Sequence, residues 1–216
     1  MKQGFVKVAS ATPRIRVADP VYNAQVICEQ AKEAAEHGAK IVVFPELCIT
    51  GYTCNDLFLQ ELLLEKAKEA LLTIAEETGQ LETLFLVGLP VDKDGRLYNV
   101  AAVLYRGRIL GMIPKKNIPM YAEFYEGRHF TPGEETVTEY RLGKQVIPFG
   151  SNLLFRCEEL PELVLGCELC EDLWVAEPPS TSHALMGATV IANLSASNET
   201  VSKDDYRTLL IKASSA

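Results

Sequence analysis

Histidine and tryptophan are scarce in this chain of 216 residues, which has three of the first and one of the second. Tandem repeats, low-complexity tracts and linker-like stretches rich in Gly, Pro or Ser are absent. No apolar run approaches the roughly 18 residues that span a bilayer. The opening MKQGFVKVAS has no apolar segment of signal-peptide length before a small-residue cleavage site, so the sequence reads as cytoplasmic. Without a linker, one domain over residues 1–216 is expected, and a fold of that size hides about 70% of its extended-chain surface. Lys and Arg number 21 against 29 Asp and Glu, a net charge of −8, and basic residues do not gather beyond Lys115-Lys116. Such a surface repels a polyphosphate backbone, which argues against a nucleic acid partner.

What is present is an alternation of apolar β-rich runs with helical periodicity. FVKVAS reads as a strand. Asp19-Pro20 is a capping signal with proline at the first helical position, and the helix it opens ends at Gly38. IVVFPE, residues 41–46, is a short apolar strand closed by a carboxylate. A second long helix is expected from Leu57 to about Gly79. Strands follow at LFLVGLPV, YNVAAVLYRG and RILGMIPK, separated by turn signals at Asp92-Lys93-Asp94-Gly95 and Arg106-Gly107. Residues Asn117 to Gly150 read as a loop. Strands NLLFRC and LVLGCEL come next, then a helical stretch around Ser182 to Gly187, the strand TVIANLS and a terminal helix from Asp204. Strands mixed with covering helices imply a layered α/β fold with a mixed sheet. The last helix breaks off within an amphipathic pattern, which suggests a piece of a longer polypeptide.

Strand ends are where loops converge in such folds, and three reactive side chains sit there: Glu46, Lys115 and Cys170. The six cysteines (Cys28, Cys48, Cys54, Cys157, Cys167, Cys170) show no disulfide framework. On an extended strand Cys167 and Cys170 point to opposite faces, there is no second CxxC, and His37, His129 and His183 lack ligand spacing, so no metal site is expected. A cysteine nucleophile needs a base or a nearby positive charge. Two arrangements are open: Cys170 with His129 of the YAEFYEGRHF loop, or Cys170 with a carboxylate to take the thiol proton and an ammonium to stabilise an oxyanion.

FPELCITGY (Phe44 to Tyr52), PKKNIPMY (Pro114 to Tyr121) and CEDLW (Cys170 to Trp174), in this order, resemble the three signature segments of the nitrilase, or carbon-nitrogen hydrolase, superfamily. TGYTCNDLF, YAEFYEGRHF and NLSASN are more similar to the glutamine-hydrolysing domains of glutamine-dependent NAD synthetases than to the nitrile- or ureido-cleaving branches. The resemblance implies a nitrilase-like αββα sandwich of mixed sheets covered by helices, lacking its final elements in this chain. It also implies a homo-oligomer that buries a sheet-and-helix face against a second copy to give four layers. It implies L-glutamine as substrate and no cofactor in this domain. ATP and Mg belong to a C-terminal synthetase domain that uses the ammonia to amidate nicotinate adenine dinucleotide. No phosphate loop of the SGGxDS type occurs here.

By the same resemblance Cys170 is the nucleophile and Glu46 the general acid and base. Lys115, selected over Lys116 by the pattern proline-lysine-x-x-aliphatic-proline, stabilises the oxyanion with the backbone N–H of Glu171. Glu126 orients the lysine or the substrate. Tyr52, Tyr121, Phe124, Glu171, Trp174, Ser197 and Lys203 match the glutamine pocket, Glu171 facing the α-ammonium and Lys203 the α-carboxylate, while Asp172, Asn193 and Ser195 brace the site. A stand-alone amidase or carbamoylase, and a catalytically idle assembly domain, are the competing readings.

Overall fold

The computed structural model describes residues 4–215, so residues 1–3 and 216 of the domain assignment lie outside it. After β1 (Val8–Ser10), helix α1 (Pro20–Glu36) starts where expected: the Asp19 carboxylate accepts the Tyr22 N–H at 3.1 Å and Pro20 occupies the first turn. Gly38, with φ +83°, stops it. Then come β2 (Ile41–Val43), a 3₁₀ stretch (Tyr52–Leu59), α2 (Glu61–Glu77), β3 (Leu84–Lys93), β4 (Arg96–Tyr105) and β5 (Arg108–Pro114). A short 3₁₀ turn at Glu126–Arg128 precedes β6 (Thr138–Leu142), β7 (Gln145–Phe149), β8 (Leu154–Arg156) and β9 (Val164–Leu169). A 3₁₀ turn at Cys170–Leu173, α3 (Pro179–Leu185), β10 (Val190–Leu194) and α4 (Lys203–Ser214) complete the order.

Seven strands form one mixed sheet in the order β1-β2-β3-β4-β5-β7-β6, and three form another, β10-β9-β8. β1, β2 and β3 are parallel, β3, β4 and β5 antiparallel, and β9 and β10 parallel. The central strands β3, β4, β5 and β9 read as continuous apolar runs because both of their faces are buried. Along β4, Tyr98, Val100, Ala102 and Leu104 pack toward α1 and α2, whose Ile27, Ala31, Leu71 and Ile74 cover that face. Ala101 and Val103, with Ile41, Leu86 and Ile113, pack instead against Leu165, Cys167, Leu169, Ala192 and Leu194 of the smaller sheet. The outer face of β9 meets α3: a Cβ on Gly166 would lie 2.8 Å from the His183 Nδ1. The four layers α, β, β and α therefore all come from one chain, and no second copy is needed to stack them.

Four expectations change. The first strand begins at Val8 rather than Phe5. β2 ends at Val43, so Glu46 lies in a turn beyond the strand. The helix expected from Leu57 begins only at Glu61, because Leu57–Leu59 belong to a 3₁₀ stretch and Gln60 is extended. Tertiary packing overrides periodicity there, because Cys54 and Phe58 turn inward to join Leu47, Leu63, Leu97 and Phe130 in a small separate core. Finally, the stretch expected to be a loop from Asn117 to Gly150 contains the β6–β7 hairpin, turned at Gly143 with φ +58°. Its outward positions carry Glu139, Arg141 and Pro148, which mask the inward alternation of Tyr140, Leu142, Ile147 and Phe149.

The turn carrying Glu46 rests on β3 at Gly88. A Cβ there would meet the Leu47 N at 2.3 Å and the Pro45 O at 2.7 Å, both backbone atoms that cannot swing aside. Gly88→Ala is expected to cost about 1–3 kcal/mol through overpacking. A lowered melting temperature together with lost activity checks this, and an unchanged melt would show that the turn can yield.

Candidate active site

The site forms where several strands end on one edge of the sheet sandwich. Glu46 follows β2, held by a turn in which Leu47 has φ +52° and its carbonyl accepts the Thr50 and Gly51 N–H groups. Lys115 follows β5, its N–H donating to the Asn99 carbonyl at 2.8 Å. Cys170 follows β9 and adopts φ +43°, a left-handed conformation that is costly for a residue with a Cβ and turns the thiol out of the strand direction. Ser195 and Ala196 follow β10. Cys167 and Cys170 thus do not share one extended strand: Cys167 lies in the sheet interface, and only Cys170 enters the site.

Lys115 is 1% exposed and its ammonium donates to Glu46 Oε1 at 2.7 Å and Glu126 Oε1 at 2.6 Å. Glu46 Oε1 also accepts from Asn99 Nδ2 at 2.7 Å, and Oε2 accepts the Ala196 N–H at 3.1 Å. Glu126 accepts the Tyr52 hydroxyl at 2.7 Å and the Asn99 amide at 3.3 Å. The Ser195 hydroxyl donates to the Cys170 sulfur at 3.4 Å. Burial by itself would push the Lys115 ammonium down, but the charges of Glu46 and Glu126 outweigh it and hold its pKa above the ordinary lysine value. Burial, with the Glu46 charge, raises Glu126. The Cys170 thiol is pushed up to about 12, first by burial and then by the Glu46 carboxylate, against the lowering effect of Lys115. It is therefore a thiol at neutral pH.

The arrangement of Cys170 with His129, left open by the sequence, does not form. His129 Nε2 lies 3.0 Å from Asp56 Oδ1 and its ring packs on Phe58 at 5.8 Å, engaged away from Cys170. Lys116 turns outward to Glu135.

The seven residues that the sequence expects to bind substrate contact one another, Tyr52 reaching Glu126 and Glu171 following Cys170 in the chain. Phe124 meets Tyr52 and Tyr121 edge-on, at centroid distances of 6.4 and 5.7 Å. Tyr121 donates its hydroxyl to Glu171 Oε2 at 2.8 Å. The Lys203 ammonium lies 5.2 Å from the Trp174 ring and 5.8 Å from that of Phe124, and donates to Ser197 Oγ at 2.6 Å and to Asn198 Oδ1. Asp172, 1% exposed, accepts the N–H of Leu169 at 3.0 Å and both the N–H and the amide of Asn117 at 2.8 Å, tying the Lys115 loop to the Cys170 turn. Asn193 donates to buried Glu168, which also accepts the Ser180 N–H.

Asn99 was missing from the sequence reading. Its signal was present: one amide breaks the apolar run of YNVAAVLY, on the inward face otherwise lined by Ala101 and Val103. Asn198 and Glu123, which hydrogen-bond beside Lys203, were also missing, and nothing in their exposed loop sequences set them apart.

Removing the ammonium leaves two carboxylates buried without their shared counter-charge, a loss of about 3–5 kcal/mol. A Lys115→Met variant is expected to melt well below the parent at pH 8. A carboxyl whose folded pKa is raised costs stability as pH climbs through and above the unfolded value, so the variant should recover part of its melting temperature on acidification toward pH 5. Equal deficits at both pH values would show the carboxylates were not the cause.

A family model described as carbon-nitrogen hydrolase matches residues 7–216. The chain is 41% identical over 215 residues to the glutamine-dependent NAD(+) synthetase of Mycobacterium tuberculosis, covering 100% of this chain and 32% of the relative. It is 34% identical over 208 residues to that of Thermotoga maritima, covering 96% and 32%. The chain therefore spans about a third of the length of these curated relatives. Among solved structures, a glutamine-dependent NAD(+) synthetase from Cytophaga hutchinsonii superposes with a TM-score of 0.86 at 28% identity, over 97% of this chain and 33% of that one. An amidase from Nesterenkonia sp. AN1 shares the fold, with a TM-score of 0.73 at 20% identity over 97% of this chain and 73% of that one.

Proposed function

The chain belongs to the carbon-nitrogen hydrolase family, and from that premise we propose that it is the glutaminase domain of a glutamine-dependent NAD synthetase, splitting L-glutamine into glutamate and ammonia. The observation that carries this reading is the buried convergence of Glu46, Lys115 and Cys170, with the Glu171 carboxylate and the Lys203 ammonium held nearby among aromatic rings. The thiol is protonated at rest, so it attacks only as its proton leaves. Glu46 takes that proton while the sulfur bonds to the amide carbon. An ammonium has three N–H donors, and two of those of Lys115 are engaged by Glu46 and Glu126, which leaves the third for the developing oxyanion, with the backbone N–H of Glu171 as its partner. Collapse of the adduct breaks the carbon–nitrogen bond, and Glu46 returns the proton to the departing ammonia. Water, activated by the same carboxylate, then cleaves the γ-glutamyl thioester to glutamate and free Cys170.

Buried glutamine charges need partners. Glu171, held by Tyr121, suits the α-ammonium, and Lys203, held by Ser197 and Asn198, suits the α-carboxylate. Tyr52, Phe124 and Trp174 wall the side chain. In this reading the whole of residues 1–216 is the hydrolase domain, and the remainder of a longer polypeptide performs the ATP- and Mg-dependent amidation of nicotinate adenine dinucleotide. The exposed Leu209 and Ile211 of α4 favour burial against further protein, in keeping with homo-oligomerisation. No described helix is long and apolar enough to cross a membrane.

In the full-length polypeptide, Cys170→Ala is expected to lower glutamine hydrolysis by at least about a thousandfold while leaving ammonia-dependent synthesis intact. Loss of both activities, or of neither, would overturn the assignment. Lys203→Met is expected to raise the KM for glutamine by about 10- to 100-fold with little change in kcat, the cost of one charged hydrogen bond. A panel of amides tests the stand-alone amidase alternative, which a preference for amides lacking α-charges would favour.

A further inference from the structure

Asn99 is the one polar side chain on its stretch of the inward face of β4, and it is fully buried. Its Nδ2 lies between the two carboxylates, donating to Glu46 Oε1 at 2.7 Å and to Glu126 Oε2 at 3.3 Å. Its backbone carbonyl accepts the Lys115 N–H at 2.8 Å, so it touches all three members of the buried ion cluster. Its Oδ1 has no hydrogen-bond partner among the described residues, which means that the amide is held by its contacts to the two carboxylates rather than by a balanced network of its own.

The two oxygens of Glu46 are therefore unequal. Oε1 receives a charge-assisted bond from Lys115 and a second from Asn99, which occupies its lone pairs. Oε2 receives only the backbone N–H of Ala196, the residue next to Ser195, whose hydroxyl donates to the Cys170 sulfur, so Oε2 is the oxygen on the thiol side. We propose that Asn99 is a positioning residue that fixes the Glu46 carboxylate with Oε1 occupied and Oε2 free to exchange a proton with Cys170. An amide suits the place because its NH₂ has two hydrogens, one for each carboxylate, and bridges two groups that would otherwise repel. A carboxylate there would add a third negative charge, and an apolar side chain would leave both acceptors short of a donor.

The groups facing Glu46 are Lys115 beyond β5, Glu126 and Tyr52 on the two 3₁₀ stretches, Cys170 after β9 and the Ala196 backbone after β10. With these unchanged, removing the Asn99 amide withdraws a donor that holds the charged, proton-accepting form of the Glu46 carboxylate in place. The inference rests on the reading of Glu46 as the base for Cys170, and its test needs a readout independent of glutamine. In the full-length polypeptide, Asn99→Leu and Asn99→Ser are compared with the parent in two measurements. One is the pH profile of kcat/KM for glutamine hydrolysis. The other is the pH dependence of iodoacetamide alkylation at Cys170, followed by peptide mass spectrometry.

In both profiles the acidic limb of Asn99→Leu is expected to move to higher pH by about one unit, and that of Asn99→Ser by less, with KM for glutamine within about twofold. If the leucine variant does not fold, the serine variant decides on the same criterion. Rates lowered evenly across pH with the limbs in place, or a change confined to KM, would overturn the proposal and leave Asn99 a packing residue. A parent that hydrolyses no glutamine, while the alkylation limb still moves in the variants, would refute the glutaminase reading and leave the role of Asn99 standing.

Discussion

A single ammonium, that of Lys115, is sealed between two carboxylates, and the character of the site follows from that unequal count. Two anions share one cation where water cannot screen them, so each needs further donors. The Tyr52 hydroxyl, the Asn99 amide and the Ala196 backbone N–H supply them. A thiolate would add a third negative charge to the cluster. Cys170 consequently keeps its proton at rest, and its activation is tied to a base beside it instead of to a standing ion pair.

Holding such a cluster requires rigid ends that converge. The two sheets pack face to face through Leu86, Ala101, Val103, Leu165 and Leu169, and this packing sets the distance between the tips of β2 and β5 on one side and β9 and β10 on the other. At two of those tips the backbone takes a left-handed residue, Leu47 beside Glu46 and Cys170 itself. Strain of this kind persists only where the surroundings over-determine it. Gly88 beneath the Glu46 turn and Asp172 across the Cys170 turn are such surroundings. Chemistry and packing are thus the same constraint seen from two sides.

Much of the element order was legible locally. The Asp19-Pro20 cap, the Gly38 stop and the apolar runs of β3, β4 and β5 follow from short-range rules that tertiary packing reinforces. Periodicity failed where a local pattern conflicted with burial, as at Phe58 and Gln60, or was hidden by outward charges and a proline, as in the β6–β7 hairpin. The reactive residues could be picked out because they end apolar runs in three ordered motifs. Asn99 stands out only as an amide within an apolar run; its bridging of Glu46 and Glu126 was not legible, because both are far from it along the chain and nothing between them in sequence marks the contact.

The sequence by itself determined the layered α/β class, the family likeness and the identity of Glu46, Lys115 and Cys170 as candidates, because residue type and spacing along a strand or helix are local properties. Only the tertiary structure decided that His129 belongs to Asp56, that all four layers come from one chain, and that one amide bridges two carboxylates around a shared ammonium. Hydrogen-bond partners and burial depend on which surfaces exclude water together, and that is set when the two sheets close on each other.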